Sequence, residues 1–154
     1  FGKTVTPAEA LDIFLEYVKV YEQSWRLFPH VLDVLAELTS KHIPLGIITN
    51  GPGIPQRKKL KDLKLQPFFQ EHLIIISEEV GFYKPSAEIF LKAQSSAQAK
   101  PENILYIGDL FSHDVEPARK LNWNALLIKL RLTPDAINKL IPEPKPHLLT
   151  KLSI

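Results

Sequence analysis

The chain has 154 residues, enough to bury one core, and its lack of cysteine excludes disulfides, thiolate nucleophiles and Cys-based zinc sites. Lys and Arg number 19 against 17 Asp and Glu, and the resulting +2 is too near balance to indicate a nucleic-acid partner. No apolar run approaches membrane-spanning length and no signal-peptide pattern opens the chain, so no membrane is expected and the setting points to the cytoplasm.

Methionine is absent and the chain begins at Phe1, so its start is expected to have been removed, or the sequence to be part of a longer protein. Thr6-Pro7-Ala8-Glu9 reads as a capping box with proline at the first helical position. The helix it opens carries Leu11, Phe14, Leu15 and Val18 on one face. This segment, to about Arg26, holds no catalytic cluster, and Trp25 and Phe28 read as packing residues. A second helix is predicted from Pro29, with Val31, Leu32, Leu35 and Leu38 at core spacing. His30 and His42 flank it without a partner at metal spacing and are read as surface residues.

In the stretch PLGIITNGPG, Leu45 to Ile48 make a short buried strand with Thr49-Asn50-Gly51 at its carboxyl end. A hydroxyl, a side-chain amide and a glycine N–H in succession can cradle an anionic oxygen. An ordinary Asn-Gly turn is the alternative, but the place after a buried strand favours the anion. Pro55 to Leu65 is predicted helical, with Leu60 and Leu63 inward and Arg57, Lys58, Lys59, Lys61 and Lys64 mostly outward. Those cations read as a solvated face, because no aromatic residues are interleaved with them. Leu73 to Ile76 give another strand, ending at Ser77, and the loop Gly81–Pro85 follows. Lys84 is held extended by the proline after it, and Ser86 can cap a helix containing Ile89, Phe90 and Ala93. Arriving after a strand of the same sheet, the Lys84 ammonium can meet a phosphate or a carboxylate.

Ile104 to Ile107 form the apolar run of a buried parallel strand, which Gly108 breaks and Asp109 follows. Ligands collect outside the carboxyl ends of such strands, so Asp109 is placed for chemistry. With Asp114 a few residues on, the loop offers a carboxylate pair suited to a hard cation such as Mg²⁺. Asp114 alone reads equally well as the cap of a helix beginning at Val115. That helix carries Ala118 and Leu121, Trp123 reads as packing, and Ala125 to Ile128 form the next strand. Beyond Lys129, Thr133-Pro134 can cap a short helix before an irregular tail with Pro142, Pro144 and Pro146. Two helices followed by four strand–helix units predict an α/β fold with an open parallel sheet and right-handed crossovers.

Thr49-Asn50-Gly51, then Lys84-Pro85, then Gly108-Asp109 with Asp114, resemble motifs two, three and four of the haloacid dehalogenase-like (HAD) hydrolase superfamily. The likeness runs from about Leu27 to Ile128 and is closest to the phosphatase-type branch with a helical cap. It implies a three-layer Rossmann-like core over residues 27–154, preceded by the remnant of a cap over residues 1–26. It also implies that Thr49, Asn50 and Gly51 bind the phosphoryl group of a small phosphorylated metabolite, that Lys84 binds it and serves catalysis, and that Asp109 and Asp114 hold Mg²⁺. Removing one such donor typically costs about two orders of magnitude in rate.

Motif one of the family, an Asp-x-Asp pair on the first strand, does not occur in this sequence. Its first carboxylate is the nucleophile and its second the general acid/base. That strand lies in the middle of the family's sheet, so the central strand is expected to be absent or supplied by another segment. The resemblance then implies the C-terminal part of a Mg²⁺-dependent phosphomonoester hydrolase, itself inactive. A haloalkanoic acid dehalogenase is one alternative, disfavoured by the carboxylate at Asp109, and a non-catalytic binding or regulatory domain is another. An open sheet edge would invite a homo-oligomer.

Overall fold

Thr6 starts the first helix, α1 (Pro7–Gln23), in the computed structural model, which describes residues 4–128. Its hydroxyl accepts the Glu9 N–H at 3.3 Å while the Glu9 carboxylate accepts the Thr6 N–H at 2.9 Å, the reciprocal pair of a capping box. Leu11, Phe14 and Leu15 on its apolar face are exposed. The chain divides into two units after Arg26, and α1 belongs to the first. No described helix is long and apolar enough to cross a membrane. The expected cap at Thr133-Pro134 and the proline-rich tail lie outside the described residues.

The second unit opens with α2 (Val31–Ser40), which starts two residues after Pro29 because His30 caps it in a left-handed conformation at φ 65°. Val31, Leu35 and Leu38 are half-buried along one narrow stripe, and Leu32, beside that stripe, is exposed. Then follow β1 (Ile47–Thr49), α3 (Gly53–Asp62), β2 (Ile74–Ile76), the short α4 (Ser77–Val80) and α5 (Ala87–Ala97). The chain closes its described part with β3 (Leu105–Gly108), a π-helical turn (Phe111–Val115), α6 (Glu116–Lys120) and β4 (Asn124–Leu127). α3 begins two residues before Pro55, which therefore falls in the first turn, where a missing N–H has no helical partner to lose.

All pairing is parallel, as the strand–helix alternation requires. β1 runs beside β2 with Ile47 opposite Ile74 and Thr49 opposite Ile76. β3 runs beside β4 with Leu105 opposite Asn124 and Gly108 opposite Leu127. The sheet is thus two ribbons, and among the described residues no pairing joins β1 or β2 to β3 or β4.

One core nevertheless draws on both ribbons. Ile75 from β2, Ile89 and Phe90 from α5, Val115, Ala118, Trp123 and Ala125 pack as a single buried cluster, with Ile48 and Tyr106 against it. On the other face of β2, Ile74 and Ile76 pack with Leu60 of α3. Alternate side chains of β2 therefore enter two separate apolar layers, which is why three consecutive isoleucines are all buried. β3 departs from the expected buried run. Tyr106 faces the core, but Leu105 and Ile107 are 55% and 50% exposed. The described helices cover only its Tyr106 side, and Leu126 of β4 is left open beside Ile107 on the other face.

Candidate functional site

Three loops meet at the carboxyl ends of β1, β2 and β3, and hydrogen bonds fasten them to one another. From the loop after β1, the Asn50 side chain grips the main chain of Lys84. Its Nδ2 donates to the Lys84 carbonyl at 2.9 Å and its Oδ1 accepts the Lys84 N–H at 2.8 Å. Gly51, at φ +142°, donates its N–H to Ser77 Oγ at 2.9 Å. The three residues of the anion cradle expected from Thr49-Asn50-Gly51 differ in what they engage. The Asn50 amide and the Gly51 N–H brace the loop, and the Thr49 hydroxyl makes a long 3.5 Å approach to the Asn50 carbonyl. The start of α3 is likewise filled from within, since Gly53 N–H donates to Glu78 Oε2 at 2.7 Å.

Lys84 sits in a turn before a cis bond to Pro85 rather than in an extended segment. Its ammonium, with the side chain 16% exposed, donates to Asp114 Oδ1 at 2.7 Å and to the Tyr106 hydroxyl at 3.2 Å. Asp114 is buried, and its second oxygen accepts the Leu110 N–H at 3.0 Å. Capping α6 is therefore not what Asp114 does, because its carboxylate turns back toward the β3 loop and Lys84. Gly108 makes room for this turn. A Cβ there would lie 2.4 Å from Asp114 Cβ. Asp109, next to Leu110, is exposed. Thr49, Lys84, Asp109 and Asp114 are thus linked along one rim through Asn50, Tyr106 and Leu110. Among the described residues no group of three or more His, Cys, Asp or Glu side chains is arranged to hold a metal.

The sequence matches the model of the family "Haloacid dehalogenase-like hydrolase" over residues 3–128. The chain belongs to that family. It is 38% identical over 108 residues to a glyceraldehyde 3-phosphate phosphatase of Methanothermobacter thermautotrophicus, covering 70% of this chain and 47% of the relative. To a phosphoserine phosphatase of Thermus thermophilus it is 33% identical over 122 residues, covering 79% and 46%. The chain therefore spans about half the length of these curated relatives. Among solved structures, the HAD-hydrolase YfnB of Bacillus subtilis bound to magnesium superposes with a TM-score of 0.70 at 26% identity, covering 98% of this chain and 66% of that one.

In this haloacid dehalogenase-like chain the polar cluster sets its own protonation. Burial alone would raise the Asp114 pKa, but the Lys84 ammonium, the Leu110 N–H and the Tyr106 hydroxyl together hold it below the ordinary 3.8. Burial pushes the Tyr106 hydroxyl upward, and the charges of Asp114 and Asp109 add to that. A carboxyl with a lowered native pKa contributes stability above its unfolded value, and that contribution is lost as pH falls through the native value. Unfolding free energy measured by urea titration is therefore expected to fall below about pH 4, and to fall less steeply in Asp114→Asn. Equal slopes would contradict the pairing.

Tyr106, Ser77 and Glu78 are the parts of the site that sequence reasoning missed. Tyr106 reads as one member of an apolar run, although its hydroxyl is a polar handle that needs a partner when buried. Ser77 directly follows three isoleucines and is itself fully buried, a place where a hydroxyl must be satisfied. The cations of α3 carry less than their number suggests. Arg57 binds Glu79 at 2.6 and 2.8 Å and Glu71 at 2.5 Å, and Lys58 binds Asp62 at 2.6 Å.

Proposed function

We propose that the chain is the C-terminal part of a Mg²⁺-dependent phosphomonoester hydrolase acting on a small phosphorylated metabolite through an aspartyl-phosphate intermediate. The observation that carries this reading is the fastening of Lys84, by Asn50 on one side and Asp114 on the other, at the strand ends from which Thr49 and Asp109 also come. Phosphoryl transfer needs placed positive charge and donors more than covalent chemistry. Lys84 would neutralise charge on the phosphoryl oxygens, and the Thr49 hydroxyl would donate to one of them. Asn50 and Gly51 serve by holding the loop, and Asp114 by holding Lys84.

Asp109 is an exposed hard-oxygen donor, which fits a Mg²⁺ bound through one or two carboxylates, water and the substrate phosphate. Asp109 would hold the ion directly, with Asp114 supporting it through the Leu110 amide. When bound, Mg²⁺ neutralises charge on the phosphate. Phosphatase relatives about twice as long, and a structural neighbour bound to magnesium, support the reading.

The nucleophile would come from a strand outside residues 1–154. Its place would be between β1 and β3, whose edges face no partner among the described residues. Backbone groups left open inside a core favour a strand that fills the gap. The chain alone would then be inactive. With magnesium and p-nitrophenyl phosphate, the full-length protein is expected to hydrolyse the ester and residues 1–154 alone are not. Robust turnover by the chain alone would overturn this assignment, as would none by the full-length protein.

A further inference from the structure

We propose that Tyr106 is a positioning residue that aims the Lys84 ammonium, leaving one N–H of that group directed at the phosphate. The proposal rests on the phosphatase reading of the site. An ammonium on a four-carbon stem has three donors and rotates freely unless acceptors fix it. Here Asp114 Oδ1 takes one donor at 2.7 Å and Tyr106 Oη takes a second at 3.2 Å. With Asp114 alone the group could still turn about the single hydrogen bond. A second acceptor in a different direction stops that rotation and fixes the third donor.

The acceptor is itself rigid. Tyr106 Oη donates to Asp114 Oδ1 at 3.3 Å, closing a triangle of three side chains from the Lys84 loop, β3 and the π-helical turn. Its ring lies edge-on to Phe90, with centroids 5.3 Å apart, and tilted against Trp123 at 6.2 Å. Phe90 is fully buried, and Trp123 Nε1 is tied to Gln94 Oε1 at 2.9 Å. The hydroxyl is therefore held from the core through aromatic packing, and it holds Lys84 in turn. A phenylalanine would fill the same space and keep Asp114 paired, while giving the ammonium nothing to bond in this direction.

Two readouts on Tyr106→Phe in the full-length protein test this. Nitrogen-detected NMR of the lysine side chain is expected to show a slowly exchanging Lys84 ammonium in the parent protein and at least tenfold faster exchange in the variant, with the folded spectrum otherwise kept. Hydrolysis of p-nitrophenyl phosphate is expected to show kcat lower by about tenfold with KM nearly unchanged, the size of one hydrogen bond to a charged group. Phe90→Leu, which loosens the ring and leaves the hydroxyl, is expected to shift both readouts the same way but less, and it decides the matter should Tyr106→Phe fail to fold. Unchanged ammonium exchange in the variants overturns the proposal. A parent protein with no phosphatase activity would instead refute the function, and the exchange measurement would still decide whether Tyr106 holds Lys84.

Discussion

Lys84→Ala in the full-length protein is expected to lower kcat for phosphate monoesters by about 10² to 10³, the usual cost of removing one preorganised donor to developing charge. The same substitution leaves the Asp114 carboxylate, 3% exposed, without its cation. Breaking a buried pair from one side costs about 3–5 kcal/mol, so stability is expected to fall as well. The two effects separate in the double variant Lys84→Met with Asp114→Asn, which removes both charges together. That protein is expected to regain most of the stability and none of the activity. If the double variant recovered turnover, Lys84 would be structural only.

Gly108→Ala is expected to be the most damaging of the small substitutions, costing about 3 kcal/mol as an overpacked position between fixed groups. The new methyl would lie 2.4 Å from Asp114 Cβ, which the backbone fixes, and 2.6 Å from Asp114 Oδ2, which the Leu110 N–H holds. Relief requires the π-helical turn or β3 to shift, and either movement pulls Asp114 from Lys84. Gly81 is the informative comparison. Nothing lies within 4 Å of a Cβ there, but φ is +77°, so Gly81→Ala carries only the left-handed backbone penalty of about 1–2 kcal/mol. Urea denaturation of the two variants side by side would show the difference. Equal losses would mean that the contact between Gly108 and Asp114 does not constrain the protein.

The strands were legible because their signal is local. Ile47, Ile48 and the run Ile74–Ile76 are β-branched, short and bounded by helix-forming segments, and alternation with helices dictates parallel pairing. Trp123 reads as packing, since a large aromatic directly before a strand has few other uses, and it is buried in the core. What could not be read is the choice of distant partners. Asn50 and Gly51 offer donors on any local reading, yet contacts 34 and 26 residues away engage them. Asp114 has the residue type and place of a helix cap, and only the fold reveals that Lys84 and Leu110 N–H are nearer to it. The exposure of Leu105 and Ile107 was hidden for the same reason. An apolar run states that a face can be buried, and says nothing of what covers it.

Paramagnetic mapping tests the shared rim most directly. Mn²⁺ substitutes for Mg²⁺ at oxygen sites and broadens the NMR signals of nearby nuclei, so it can be titrated into the full-length protein with inorganic phosphate present. The expected result is that resonances of Asp109, Leu110, Thr49 and the Lys84 side chain broaden first and together. Broadening centred elsewhere, or at Asp109 without Thr49 and Lys84, would contradict a single phosphate and metal site on these loops.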